Sequence, residues 1–385
     1  MKKTLLFWLL FLTLPTWAIK ITHGPYLCDL DSTSATIMWV TDKPGMSWVE
    51  IAPEDGRHFY GKERAKYFQV LHGRKMVKDS VHQVRVEGLA PDTRYRYRIF
   101  TQELTGWTWS DYTTFGQVAA SSVYKQEPYS FKTYPTERHE VSFLIVNDIH
   151  ERSSFLKKLL KDIDFGKIDF VMLNGDMSNM IEDPQHIFKA YIDTCVCLFA
   201  TSVPMMMARG NHETRGKYAD YLYRYFPTAS GTYYQLKHIA GIDFLILDSG
   251  EDKPDSDIEY GGLGAYDDYR RQEARWLRSL RTSGQVGRHP LIVFCHIPPT
   301  TGTWHGPYHL QETLLPEVNE MNPTVMFSGH THSHKLVKPD NLIRFPNLIN
   351  SNSAYMLCRT KGNRLEVECA EPDGKNMKHF SFPLR

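Results

Sequence analysis

Five apolar runs, each ending in a cluster of oxygen and nitrogen donors, constrain this chain more than any other feature. They read "VSFLIVNDIH" (141–150), "IDFVMLNGD" (168–176), "VPMMMARGNHE" (203–213), "HPLIVFCHIPP" (289–299) and "PTVMFSGHTH" (323–332). None alternates apolar with polar, so each predicts a strand covered on both faces, as in a layered α/β domain. A sixth run, "IDFLILDSG", belongs with them. Between the runs, "SSFLKKLLKDI", "QHIFKAYIDTCVCLFA", "GKYADYLYRYF" and "DYRRQEARWLRSLRT" have helical spacing, the first with Ser153 or Ser154 as its cap. The expected fold class is α/β (α+β), with this layered domain covering residues 136–385.

Upstream the texture differs. "SATIMWVTD", "SWVEIAPED" and "HQVRVEGLAPDTRYRYRIF" are alternating and rich in β-branched and aromatic residues, which predicts a small antiparallel sandwich. With a last strand or two and a linker ending near Pro135, it would span residues 19–135. Residues 1–18 carry Lys2 and Lys3, an apolar run from Leu5 to Leu14, then Pro15 and Ala18. This is the pattern of a secretory signal peptide, and the run falls short of the ~20 residues a bilayer span needs. The expectation is an exported protein, periplasmic or secreted, with no membrane anchor after cleavage.

Among 385 residues, Lys plus Arg number 45 and Asp plus Glu 44, and no long basic run is present, which argues against a nucleic-acid polymer as partner. The six cysteines lack a repeated spacing and predict no disulfide framework; Cys295 is read as a small buried residue.

Ligands of α/β sheets gather at the carboxyl ends of strands. Here those ends bring Asp148 and His150, Asp176, Asn211 and His212, His296, and His330 and His332. Carboxylate oxygen and imidazole nitrogen suit borderline divalent metals, and a carboxylate can bridge two ions. Any one of these motifs alone is as well explained by a loop; five in order after apolar strands are not.

The ordered set "DIH", "NGD", "GNHE", "CHIPP" and "GHTH" resembles the calcineurin-like metallophosphoesterase superfamily over about 141–337. The resemblance implies an αββα sandwich. It also implies two divalent ions (Mn, Fe or Zn) sharing Asp176, one held by Asp148, His150 and His332, the other by Asn211, His296 and His330. His334 has no place in that scheme and is read as a rim residue. The upstream sandwich is similar to the N-terminal domain of purple acid phosphatases and to fibronectin type III domains, through "LAPDTRY" (89–95) and a buried Trp39. One departure stands out. In purple acid phosphatases a tyrosine follows the shared aspartate by three residues and the first motif lacks its histidine; here His150 is present and that later position is Asn179. A tyrosinate-ligated iron is therefore not expected.

The implied reaction is phosphoester hydrolysis by a hydroxide bridging the metals, without a covalent enzyme intermediate. His212 would serve as general acid or stabilise the leaving oxygen, and Glu213 would orient it from behind. Arg215, Trp304 and His305 are candidate substrate contacts, with Trp304, His305 and Tyr308 suited to stacking on a ring. The acidic segment Gly250 to Asp268 is read as a lid. A small phosphomonoester is the expected substrate, with a phosphodiester or nucleotide as alternative. A different class, a fibronectin-type binding protein with a decayed esterase domain, is opposed by the intact ligand set.

Overall fold

The computed structural model describes residues 18–108, 112–122, 126–137, 140–300 and 304–385. The signal peptide expected at 1–18 lies, but for Ala18, outside the described residues. The two later sheets have six strands each. In the first the order is Met205–Met207, Phe170–Leu173, Ser142–Val146, Tyr355–Lys361, Arg364–Ala370 and Lys378–Pro383. Its first three strands are parallel and the rest antiparallel. The second runs Gln235–Ile239, Ile242–Ile246, Leu291–Phe294, Val325–Ser328, Asn347–Ile349 and Lys335–Val337, parallel through its four middle strands.

Aromatic side chains join the two sheets face to face. Phe143 stacks on Phe170 at 5.0 Å within one sheet and meets Phe244, Phe294 and Phe327 of the other edge-on at 5.4, 6.0 and 6.3 Å. All five are fully buried. Helices cover the outer faces: Ser153–Leu160 and the segment Phe188–Ala200 on one side, Tyr266–Thr282, His305–Thr313 and Leu315–Glu320 on the other. The expected αββα layering is present.

Three local expectations change. The helix Ser153–Leu160 is entered from Arg152, with no side-chain cap from either serine. Arg152 donates instead to the carbonyls of Asp148 and Asn352. The segment 188–200 is helical but largely widened to π geometry. "GKYADYLYRYF" supplies only a 3₁₀ stretch, Ala219–Arg224.

The upstream part is an all-β sandwich. A three-stranded sheet (Ile21–Cys28, Ser34–Thr41, Val81–Glu87) faces a five-stranded one. Trp39 is fully buried and donates to Thr101 Oγ1 at 2.8 Å, and Tyr95 Oη accepts from the Ala90 N–H at 2.8 Å, closing the corner seen in "LAPDTRY". The sandwich is seated on the later sheets: Tyr26 donates to the Tyr225 carbonyl at 3.0 Å, Tyr97 to Thr201 at 2.8 Å, and His23 stacks on Phe188 at 4.2 Å. All six cysteines are free thiols.

Candidate metal centre

Parallel strands deliver their carboxyl ends to one rim. From the first sheet come Asp148 and His150 after Val146, Asp176 after Leu173, and Asn211 after Met207; from the second come His296 after Phe294 and His330 and His332 after Ser328. At that rim the chain must turn its side chains inward within a few residues. Asp148, His150, Asp176, His330 and His332 do so with φ between 47° and 66°. Left-handed backbone at non-glycine residues costs on the order of 1–3 kcal/mol each, and such strain concentrates at functional sites.

Close approach requires glycine beside them. A Cβ on Gly210 would stand 2.3 Å from Asp176 Oδ1, and one on Gly175, itself at φ 83°, 2.3 Å from His296 Nδ1. The "NGD" and "GNHE" glycines are therefore packing requirements of the donors.

The donor atoms converge. His332 Nε2 is 3.3 Å and His150 Nε2 3.9 Å from Asp148 Oδ1, and these two nitrogens lie 3.1 Å apart. Asp176 Oδ2 is 3.0 Å from His296 Nε2 and 4.0 Å from both His150 Nε2 and His212 Nε2. Asn211 Oδ1 lies 3.1 Å from His330 Nδ1. Among the described residues, three groupings have donors mutually within 4.8 Å: Asp148, His150 and His332; Asp176, His296 and His330; and His150, Asp176 and His212. The first two bring together residues assigned to one ion each from the sequence, with Asp176 in the second and Asn211 in neither.

Two buried donors, Asp148 Oδ1 and His296 Nε2, have no hydrogen-bond partner among the described residues. The His296 Nδ1 atom faces the Asn174 carbonyl at 2.7 Å, which fixes its hydrogen there and leaves Nε2 as a bare lone pair facing carboxylate. Either a proton or a metal ion satisfies that arrangement. Burial lowers the His296 pKa, but Asp176 and Asp148 outweigh it and push it up to about 10. Burial alone would raise Asp176, yet His296 holds it well below the usual carboxylate range. Burial brings His330 down to about 4, with His296 adding to the effect, so its ring is neutral and able to donate a lone pair. The donor set fits a pair of divalent cations.

The supporting contacts differ from expectation in four places. Glu213 does not meet the His212 ring: its carboxylate accepts the backbone N–H groups of Asp176, Met177, Ser178 and Gly210 at 2.7–3.1 Å, fixing the shared aspartate's turn. Asn179, noted from the sequence only for standing where a tyrosine would be, holds His212 Nδ1 at its carbonyl (2.8 Å) and His150 Nδ1 at its side-chain oxygen (3.0 Å). Arg215 is gripped by Glu251 (2.6 and 3.0 Å) and Asp252 (3.4 Å), with Nη1 3.5 Å from His212 Nε2. His305 is tied to Asp267 at 2.8 Å.

The acidic segment is also corrected. Its first residues are pinned, since Glu251 and Asp252 are buried and the Gly306 N–H donates to the Asp252 carbonyl at 2.7 Å. Its tip is open, with Ile258 93% and Leu263 88% exposed. Asp252 Oδ2 lies 3.9 Å from His330 Nε2, a contact no local pattern signals. Burial, then Glu251, raise the Asp252 pKa to about 6. Trp304 is 53% exposed with Lys253 Nζ 5.9 Å from its ring. His334 packs beside Phe380, its ring 5.4 Å away, as a rim residue would.

Comparison with known proteins agrees with this geometry. The sequence profile for calcineurin-like phosphoesterase matches residues 141–334, and that for the purple acid phosphatase N-terminal domain matches 26–117. Purple acid phosphatase 23 of Arabidopsis thaliana is 23% identical over 415 residues, covering 94% of this chain and 84% of that protein. The structure of purple acid phosphatase PPD1 from yellow lupin (Lupinus luteus) seeds superposes with a TM-score of 0.61 at 14% identity, over 93% of this chain and 73% of the other.

Proposed function

The chain belongs to the calcineurin-like phosphoesterase family and is a metal-dependent phosphoester hydrolase with a dinuclear centre; from that premise we propose an exported phosphatase acting on small phosphomonoesters. Its domains are taken as the sandwich of residues 19–135 and the hydrolase of 136–385. Export rests on the N-terminal run of residues 1–18; among the described residues no helix is long and apolar enough to cross a membrane.

The observation that carries the reading is the position of Asp176 Oδ2 between two donor groups, 3.0 Å from His296 and 4.0 Å from His150. One ion would be held by Asp148, His150 and His332, the other by Asn211, His296 and His330, with Asp176 common to both. When bound, such a pair supplies an acidified water and a clamp for phosphoryl oxygens. The chain's own residues do the rest. With Nδ1–H given to the Asn179 carbonyl, a protonated His212 presents its Nε2–H to the leaving oxygen. Arg215, fixed by Glu251 and Asp252, holds its remaining face beside that nitrogen. Asn179 against His150 stands where a tyrosinate ligand would otherwise be, so the centre is proposed to be colourless when loaded with iron, and a visible charge-transfer band would overturn this.

A second reading, phosphodiester hydrolysis, is favoured by one observation. Two carboxylates outnumber the single positive charge of Arg215, and that excess disfavours a dianion more than a monoanion. Metal analysis followed by turnover of matched mono- and diesters decides between them: kcat/KM higher for the monoester supports the first reading, and the reverse order replaces it. Absence of turnover on either with metals bound would sink both.

A further inference from the structure

Far from the rim in sequence, the sandwich makes an excursion between the strands Gly45–Pro53 and Val81–Glu87. It contains a hairpin of two-residue strands, Val70–Leu71 and Arg74–Lys75, joined by His72 and Gly73. His72 at φ 49° and Gly73 at φ 80° supply the two left-handed residues of a tight hairpin turn. Val70 and Leu71 are 54% and 53% exposed, two adjacent aliphatic side chains facing water.

Cations stand beside these aliphatic residues: Lys75 is paired with Val70 and Arg74 with Leu71, with Lys66 and Lys78 in the flanking segments. Lys75 Nζ is 3.4 Å from the Phe68 ring centre, Lys66 Nζ 5.4 Å from Trp48, and Arg74 and Lys78 are 4.8 and 4.6 Å from Trp107. Trp48 and Phe68 are themselves 5.9 Å apart, so Lys66 and Lys75 share one aromatic floor while Arg74 and Lys78 share Trp107. Between Lys62 and Lys78 there are six Lys or Arg and one acidic residue, Glu63. Among the described residues, Lys66, Arg74, Lys75 and Lys78 form no ion pair. Their positive charge is left for a partner.

We propose that this hairpin docks the protein on an anionic lipid bilayer, Val70 and Leu71 entering the acyl boundary while Lys66, Arg74, Lys75 and Lys78 meet headgroup phosphates. Each exposed aliphatic residue has a long cationic one directly across the hairpin, Val70 opposite Lys75 and Leu71 opposite Arg74, and such a cation can reach back to headgroup phosphate while its aliphatic neighbour enters the acyl boundary. A nucleic acid or acidic polysaccharide would use the cations but gives exposed aliphatic side chains nothing to bury against. The contact is peripheral and reversible, since it uses one hairpin and no spanning helix.

The test uses the full chain and sedimentation with vesicles of phosphatidylcholine alone or mixed with phosphatidylglycerol. Binding is expected only to the mixed vesicles and is weakened by salt. Arg74→Gln with Lys75→Gln lowers the partition coefficient roughly 25-fold, about fivefold per charge. Val70→Ser with Leu71→Ser lowers it by about tenfold or more, while melting temperature and hydrolysis of a soluble substrate stay unchanged, which separates docking from folding. No binding to mixed vesicles overturns the proposal. So does undiminished binding of the serine variant, or retention on heparin without any on vesicles.

Discussion

Asp176 Oδ2 lies 3.0 Å from His296 Nε2, and in the neutral ring neither atom has a hydrogen to give the other because Nδ1 already serves the Asn174 carbonyl. A proton or a metal ion must stand between them. In chelated protein the proton does so, and His296 carries it up to about pH 10 against an ordinary 6.5. A group whose folded pKa is raised contributes stability that is whole below its unfolded value and is lost as pH climbs through the folded one. The melting temperature of chelated protein is therefore expected to fall between about pH 6.5 and 10. Metal-loaded protein, measured alongside, should stay level there; parallel curves would mean that His296 and Asp176 do not share the cation.

His212→Ala and Asp176→Asn should separate chemistry from metal binding. The first keeps both ions and loses about 10²–10⁴ in kcat, most for substrates with poor leaving groups. The second loses affinity for both ions together. Metal content by elemental analysis, beside kcat for a leaving-group series, checks the pair; a flat series for His212→Ala would remove the acid role.

Glu213→Gln tests the support behind the shared aspartate. The carboxylate accepts four backbone N–H groups, and an amide nitrogen would face some of them with hydrogens of its own. A buried group left unsatisfied costs about 1–3 kcal/mol. The variant should melt lower and bind metal about 10–100-fold more weakly. If it affected only kcat, with metal affinity intact, Glu213 would instead be acting on His212.

Asn179→Ala removes the side-chain oxygen from His150 but keeps the carbonyl under His212. The expected result is about 10–100-fold weaker binding at one metal position, with the pH dependence of kcat in the fully loaded enzyme unchanged. A calorimetric titration showing two unaltered sites would contradict this.

Phe143→Ala should cost about 3–5 kcal/mol, because its ring meets one neighbour in its own sheet and three across the interface. Urea unfolding measures it.

The donors were legible because a strand buried on both faces has to be apolar throughout, so the first polar residues after it mark the rim. Asp148, Asp176, His296 and His330 could be picked out that way, each from its own few residues. Glu213 was noticed for the same reason, Arg215 and His305 as candidate substrate contacts, and the distant partners of all three were missed. Glu213 reaches back 37 residues to Asp176, Arg215 forward 36 to Glu251, and His305 back 38 to Asp267. The acidic segment read as a lid hid Glu251 and Asp252, whose burial depends on Arg215 being opposite them.

What the chain's own order determined was the alternation of covered strands with helices, the set of donors at strand ends and the glycines beside them, since these follow from local burial and local backbone freedom. Which donor faces which, that one carboxylate oxygen stands between two groups, and that lysines and arginines gather beside the exposed aliphatic residues of a hairpin were decided only by packing one sheet on another and folding segments back on themselves. Those distances depend on contacts between segments tens of residues apart, and no short-range pattern encodes them.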